Sequence, residues 1–145
     1  MGISTTNEDV FISAPPPAVF EALELLPRVS SWWRGARTSG TSERITADIP
    51  SFRAGRRVRF EARIDGIRPG EGLVWWLDRG ELAGRGEFWL EPFKDGTIVH
   101  YYLDVDPGPA GRMRSMPARV RRHRWAVRRG LNDLKDSLEA RAWQR

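Results

Sequence analysis

The sequence predicts an α+β domain in which a run of antiparallel strands is followed by one long helix laid across them. Three observations carry that prediction. Between Arg57 and Val105 apolar residues recur at every second position, the period of a strand with one face in a core and one in solvent. Turn residues punctuate those runs closely, so successive strands are antiparallel neighbours. From Met116 the period changes. Met116, Val120, His123, Val127, Leu131, Leu134 and Leu138 fall at steps of three and four, which draws a single stripe down one side of a helix.

In chain order, Asp9-Val10-Phe11-Ile12-Ser13 is a short strand of β-branched and aromatic residues. Ala14-Pro15-Pro16-Pro17 stops it, and Val19, Phe20, Leu23 and Leu26 follow at helical spacing up to Pro27. Val29-Ser30-Ser31-Trp32-Trp33 reads as a second short helix closed by Gly35, so two short helices form a V-shaped wedge after the first strand. From Arg37 the period is two. Val58, Phe60, Ala62 and Ile64 alternate with Arg57, Arg59, Glu61, Arg63 and Asp65. Asp65-Gly66 and Pro69-Gly70 are turn signals, and the short stretch from Arg63 to Gly72 suggests an abbreviated strand. Leu73 to Leu77 is the next strand, turned by Asp78-Arg79-Gly80-Glu81. Leu82 to Leu90 follows, with Gly84, Gly86, Phe88 and Leu90 on one face. After Lys94-Asp95-Gly96 the strand Thr97 to Val105 puts Val99, Tyr101, Leu103 and Val105 on one face.

Pro107-Gly108-Pro109-Ala110-Gly111 separates sheet from helix. Pro117 suits a first helical turn, where its missing N–H has no partner to lose, and the helix runs to about Trp143. Gly130 interrupts the helical logic at a cost of about 1 kcal/mol relative to Ala. Its use is to let another group come close.

At 145 residues the chain is one domain, 1–145, large enough to build its own core. The absence of cysteine excludes disulfides, thiol catalysis and zinc–thiolate sites. No apolar run approaches the ~20 residues of a membrane span, and no signal-peptide pattern opens the chain, so a cytoplasmic protein is expected. Lysine plus arginine total 24 against 19 acids, a net charge of +5. The excess is local: Arg112, Arg114, Arg119, Arg121, Arg122, Arg124, Arg128 and Arg129 crowd the start of the long helix. Such a cluster suits nucleic acid or an anionic membrane, or else is a solvated helix face; the solvated face is the default for arginine.

One set of motifs runs through nearly the whole chain: Ile12-Ser13-Ala14-Pro15 with Val19-Phe20, Trp32-Trp33, Gly80-Glu81-Leu82-Ala83-Gly84 with Trp89, and Gly96-Thr97-Ile98-Val99. It ends in His123, Val127, Arg128, Gly130-Leu131 and Leu134. Together these residues resemble the START-like (SRPBCC) superfamily, in its polyketide cyclase/dehydrase branch. The resemblance implies a helix-grip fold: a curved antiparallel sheet of six or seven strands around the C-terminal helix, with two short helices after the first strand. It also implies a cavity between sheet and helix for a hydrophobic, polycyclic or lipid-like molecule. It does not imply chemistry, because carriers, sensors, chaperone co-factors and enzymes share that scaffold.

The residues themselves are sparing with chemistry. His123 lies on the apolar stripe, as a polar anchor, a general acid/base, or a hydrogen-bonded core residue. Tyr101 is the hydroxyl best placed on an apolar face. His123 and Tyr101 are therefore the catalytic candidates. Trp33, Phe60, Trp75, Phe88, Tyr101, His123 and Val127 are the candidate ligand-lining residues, and glycines 84 and 86 are expected to leave volume among them. His100 falls on the opposite phase and is expected to face solvent. Glu61, Glu87 and Asp104 also point outward, which argues against a paired-carboxylate site. No phosphate-cradling loop or nucleophile elbow occurs, and two histidines make no metal centre, so neither metal nor cofactor is expected.

The leading expectation is a binder of a small hydrophobic molecule in a carrier, sensor or sequestering role. The alternatives are a polyketide cyclase/dehydrase-type enzyme and an arginine-rich interaction protein. Neither a specific nucleic acid partner nor a membrane span is expected, and a homodimer stays open.

Overall fold

The computed structural model describes residues 5–24, 32–41, 43–51, 57–106 and 115–143. Seven strands form one antiparallel sheet: β1 (Thr5–Ile12), β2 (Arg37–Gly40), β3 (Arg44–Pro50), β4 (Arg57–Arg68), β5 (Gly72–Gly80), β6 (Gly84–Phe93) and β7 (Gly96–Val105). Their order is β1-β7-β6-β5-β4-β3-β2, so β2 to β7 run as an uninterrupted meander and the first strand closes the far edge beside the last. Two helices complete the described fold: α1 (Pro16–Glu24) and α2 (Met116–Trp143).

The sheet is larger than the alternation from Arg57 onward indicated. β3 turns Ile45, Ala47 and Ile49 inward and pairs Ile45 with Ala62 of β4. β1 starts at Thr5, ahead of the predicted Asp9, and pairs with β7 from Thr5↔Asp104 to Ile12↔Thr97.

The expectation of an abbreviated strand is overturned. β4 spans 12 residues, to Arg68. Asp65-Gly66 makes no turn; it lies inside β4, where the register with β5 shifts between Asp65 and Arg68 and Gly66 takes φ 60°. The reversal falls instead at Pro69-Gly70, with Gly70 at φ 77°. A second shift, between Glu61 and Ala62, sets Phe60 opposite Gly80. Both irregularities lie in the middle of the meander, where an extra residue bends a strand and increases its twist. The sheet curves there.

Of the two short helices, the first is present as α1, burying Val19, Phe20 and Leu23. Val29, Ser30 and Ser31 lie outside the described residues, and Trp32 to Gly35 form turns rather than a helix.

α2 realises the predicted stripe: Met116, Val120, His123, Val127, Leu131, Leu134 and Leu138 are all buried. Ser115 precedes it and stabilises its first turn, accepting from the Arg119 amide at 3.0 Å through its carbonyl. The helix packs on β1, β4 and α1. Two polar links fix it to the end of β1. Lys135 Nζ donates to the Phe11 carbonyl at 2.8 Å, and the Ser13 amide donates to Glu139 at 2.9 Å. Fully burying a Leu, Val or Phe side chain is worth about 1.5–3 kcal/mol, so the stripe and the inward sheet residues are the main stabilising term.

Candidate functional site

Register brings a row of aromatic rings together on the inner face of the sheet. Phe88 of β6 stands opposite Tyr101 of β7, and Trp75 of β5 stands opposite Gly86. Ring centroids are 4.8 Å apart for Phe88–Tyr101, 5.1 Å for Trp75–Phe88 and 5.2 Å for Phe60–Trp75. α2 lowers His123 onto this row, 5.6 Å from Phe60 and 5.9 Å from Tyr101.

A hydrogen-bonded chain threads the row. Trp75 Nε1 donates to the Tyr101 hydroxyl at 2.9 Å, and that hydroxyl lies 2.8 Å from His123 Nε2. An indole N–H can only donate, so it occupies a lone pair of the phenol. The phenol proton itself needs an acceptor, and His123 Nε2 is the one at hydrogen-bond distance; the tautomer that satisfies it carries the imidazole proton on Nδ1. His123 Nδ1 has no partner among the described residues, and neither do Trp33 Nε1 and Ser51 Oγ. Each such buried group costs about 1–3 kcal/mol.

Gly86 serves this chain. A Cβ on it would overlap Trp75 Nε1 and the Tyr101 hydroxyl. The expectation that glycines 84 and 86 leave volume is therefore corrected. The space above Gly86 is filled by the Trp75–Tyr101 hydrogen bond, and Gly84 is close against the β7 backbone at Asp104.

Burial controls the electrostatics. It pushes the His123 imidazole down to about 4 and the Tyr101 phenol well above its usual value. Both groups are neutral near pH 7, so their contact is a hydrogen bond rather than an ion pair.

The remaining candidates lie along α2. Trp33 stacks on Trp32 at 5.6 Å and lies against Gly130, two helical turns (about 10 Å) beyond His123. Val127 is buried between those two points. The structure thus gathers Phe60, Trp75, Phe88, Tyr101 and His123 into one cluster and puts Trp33 further along the helix. All seven candidates are no more than 3% exposed, and Phe60 also borders an open depression at the β3–β4 edge of the cluster.

Asp133 escaped the sequence reading. Its carboxylate is buried on α2 and accepts from the Arg34 amide at 3.1 Å, which fastens the Trp32–Gly35 turn to the helix. Burial raises its pKa. The available signal was an acid directly between Leu131 and Leu134.

The outer face is also more built than expected. His100 sits there but is not bathed in solvent. Its side chain is 14% exposed, stacked between Trp89 at 4.8 Å and Tyr102 at 6.2 Å, with Nε2 3.0 Å from Glu91. An open depression of about 580 Å³ lies beside Arg63, Trp76, Arg85 and Asp104, and another of about 380 Å³ beside Thr46, Asp48, Arg59 and Arg79. Among the described residues no three metal-ligating side chains converge, and no helix is long and apolar enough to cross a membrane.

No protein-family model and no curated protein matches the sequence. Solved structures do match. The Aha1 dimer of Colwellia psychrerythraea is 21% identical, with TM-score 0.63 over 94% of this chain and 97% of that one. Protein Ms6760 of Mycobacterium smegmatis gives 0.72 at 12% identity, over 94% of this chain and 91% of its own. A START superfamily protein of Mycobacterium smegmatis gives 0.61 at 16% identity, over 97% of each chain. What these proteins share with this one is the fold, and that fold is the START-like helix grip.

Proposed function

We propose that this START-like helix-grip domain binds a small, uncharged, largely apolar molecule between the sheet and α2. The observation that carries this reading is His123. Its Nε2 is engaged by Tyr101 at 2.8 Å, while its Nδ1 is buried without a partner. A ligand oxygen accepting from Nδ1 would recover the cost of that orphaned group, about 1–3 kcal/mol. The rings of Phe60, Trp75 and Phe88 supply apolar faces suited to a flat molecule. The clustered side chains are almost fully buried, so a ligand enters by parting α2 from the aromatic row. No arginine or lysine lies among the seven candidate residues, so a carboxylate would be buried without a counter-charge, which is strongly disfavoured. The role is that of a carrier, sensor or sequestering protein. The dimeric Aha1 neighbour supports assembly as a homodimer, which sedimentation velocity tests.

The cyclase/dehydrase alternative needs an acid or base poised near the working pH. A histidine held at about 4 and a phenol pushed upward by burial are poor at both tasks. The pair is better suited to holding a molecule than to moving its protons.

Tryptophan quenching by three matched probes tests the reading: fluorene, fluorenone and fluorene-9-carboxylate. Fluorenone should bind about tenfold tighter than fluorene, the value of one hydrogen bond, and the carboxylate most weakly. His123→Phe should abolish the preference for the ketone. Quenching by none of the three sinks the proposal; equal affinities for fluorene and fluorenone remove His123 from it.

A further inference from the structure

The arginines at the start of α2 divide into two sets. Arg119 donates to Ser115 Oγ and to the Glu81 carbonyl, both at 3.0 Å, and Arg122 meets the Glu81 carboxylate at 2.9 Å. Arg129 reaches the Ser51 carbonyl at 3.4 Å. These three tie the helix to its own body. Arg121, Arg124 and Arg128 are exposed, and among the described residues only Arg124 of the three meets an acid, Glu8 at 3.1 Å.

Trp125 stands among them, 42% exposed, the one exposed large hydrophobic on a helix among the described residues. The Arg128 guanidinium lies 5.3 Å from its ring centroid. Positions 121, 124, 125 and 128 are three and four apart, which makes one stripe about 10 Å long. The acids of α2, Asp133, Asp136 and Glu139, all lie beyond its C-terminal end.

We infer that this stripe of Arg121, Arg124, Trp125 and Arg128 is a docking surface for an anionic lipid bilayer. Charge complementarity is the first argument. Arg121 and Arg128 share an exposed face with Arg124, which is paired with Glu8, and neither of the two meets an acid among the described residues. Each such guanidinium adds about fivefold to partitioning onto an anionic surface. The indole is the second. An exposed tryptophan has an apolar body and a polar edge, the combination favoured at headgroup depth. A single ring offers no series of platforms for stacked bases, so a nucleic acid strand fits less well.

The inference rests on the proposed ligand reading in one respect. The inner side of the same helical turns carries His123 and Val127, so docking would bring the candidate site beside the phase in which an apolar ligand dissolves.

The test is co-sedimentation of the full chain with vesicles of phosphatidylcholine alone, or with one-third phosphatidylserine. Binding should require phosphatidylserine and weaken with salt. Replacing Arg121→Gln and Arg128→Gln together should lower partitioning by roughly 25-fold. Trp125→Ala should lower it several-fold, while Arg141→Gln, at the far end of the helix, should leave it unchanged. Failure to bind phosphatidylserine vesicles overturns the inference. So does an equal loss in Arg141→Gln, or binding to polyglutamate in preference to vesicles. Vesicle docking by a protein that quenches with no fluorene probe would uphold the surface and overturn the ligand reading. The converse result would overturn the surface alone.

Discussion

Cε2, Cδ2 and Cζ2 of Trp33 occupy the space where a side chain at Gly130 would stand. The missing Cβ is what lets the turn at Trp32–Gly35 close onto α2, and Asp133, about one helical turn further on, holds that turn by accepting from the Arg34 amide. A residue that weakens the helix in isolation thus improves the fold as a whole.

Gly130→Ala puts the two effects in opposition. Alanine improves helix propensity by about 1 kcal/mol. Its Cβ must displace a ring that is 1% exposed and stacked on Trp32, and overpacking of that kind costs about 1–3 kcal/mol. Net destabilisation is expected, read as a lower urea midpoint at unchanged slope. Combining it with Trp33→Leu should give less than the sum of the two losses, because the clash is shared. A more stable single variant would show that the indole moves aside at little cost.

Gly86→Ala should be damaging for a related reason. The new methyl group would overlap Trp75 Nε1 and the Tyr101 hydroxyl, so the hydrogen bond between them would break. Tyr101→Phe removes the same hydroxyl without adding volume, leaving Trp75 and His123 both unsatisfied. Each unsatisfied group costs about 1–3 kcal/mol, so this variant should lose roughly 2–6 kcal/mol. Thermal unfolding followed by near-ultraviolet dichroism reports both stability and indole environment. A Tyr101→Phe protein as stable as the parent would mean that the chain contributes little.

Much of this architecture is legible in the sequence because periodicity survives tertiary packing. The α2 stripe from Met116 to Leu138 and the inward sets Val58–Phe60–Ala62 and Val99–Tyr101–Leu103–Val105 stand where their spacing placed them. The inward phase of Trp75, Phe88 and Tyr101 is equally readable. What spacing does not carry is register. Asp65-Gly66 has the composition of a turn, yet a shift in pairing absorbs it into β4. Gly86 resembles a void until Trp75 is known to stand across from it. Nor does composition reveal which of two adjacent arginines, such as Arg121 and Arg122, will find Glu81.

Leu134 tests the stripe itself. It is fully buried, and Leu134→Ala should cost about 2–5 kcal/mol through lost contacts and a residual cavity. A denaturant midpoint equal to the parent's would contradict its position under the sheet.

For the arginine cluster no sequence-specific nucleic acid binding is expected. Arg119, Arg122 and Arg129 are engaged within the fold, and only Trp125 offers a ring beside those that remain. Labelled DNA and RNA near physiological salt should associate weakly, with an affinity that falls steeply as salt rises. Tight binding that distinguishes one sequence from another would restore the interaction-protein reading.

The buried His123 should make stability depend on pH in a defined window. Its folded value is about 4 against 6.5 for an exposed imidazole, so the folded state holds the proton less well than the unfolded chain does. Above pH 6.5 both states are neutral and His123 adds no pH dependence. Between about 6.5 and 4 the unfolded chain takes up a proton that the folded one refuses, and stability falls as pH falls. Below about 4 both states bind it and the loss levels off, at roughly 3 kcal/mol in all. Asp133 acts in the opposite sense, because burial raises its carboxyl and favours the folded state on acidification. Asp48 and Asp78, lowered by Arg57 and Arg44, lose their contribution only at more acid pH. His123→Gln separates these groups, since glutamine can still accept from Tyr101 but cannot titrate. Urea unfolding near pH 7.5 and near pH 4.5 should show the parent losing about 2–3 kcal/mol more than the variant. Equal losses in the two proteins would mean that His123 is not the group refusing the proton, and with it would go the neutral donor on which the ligand reading depends.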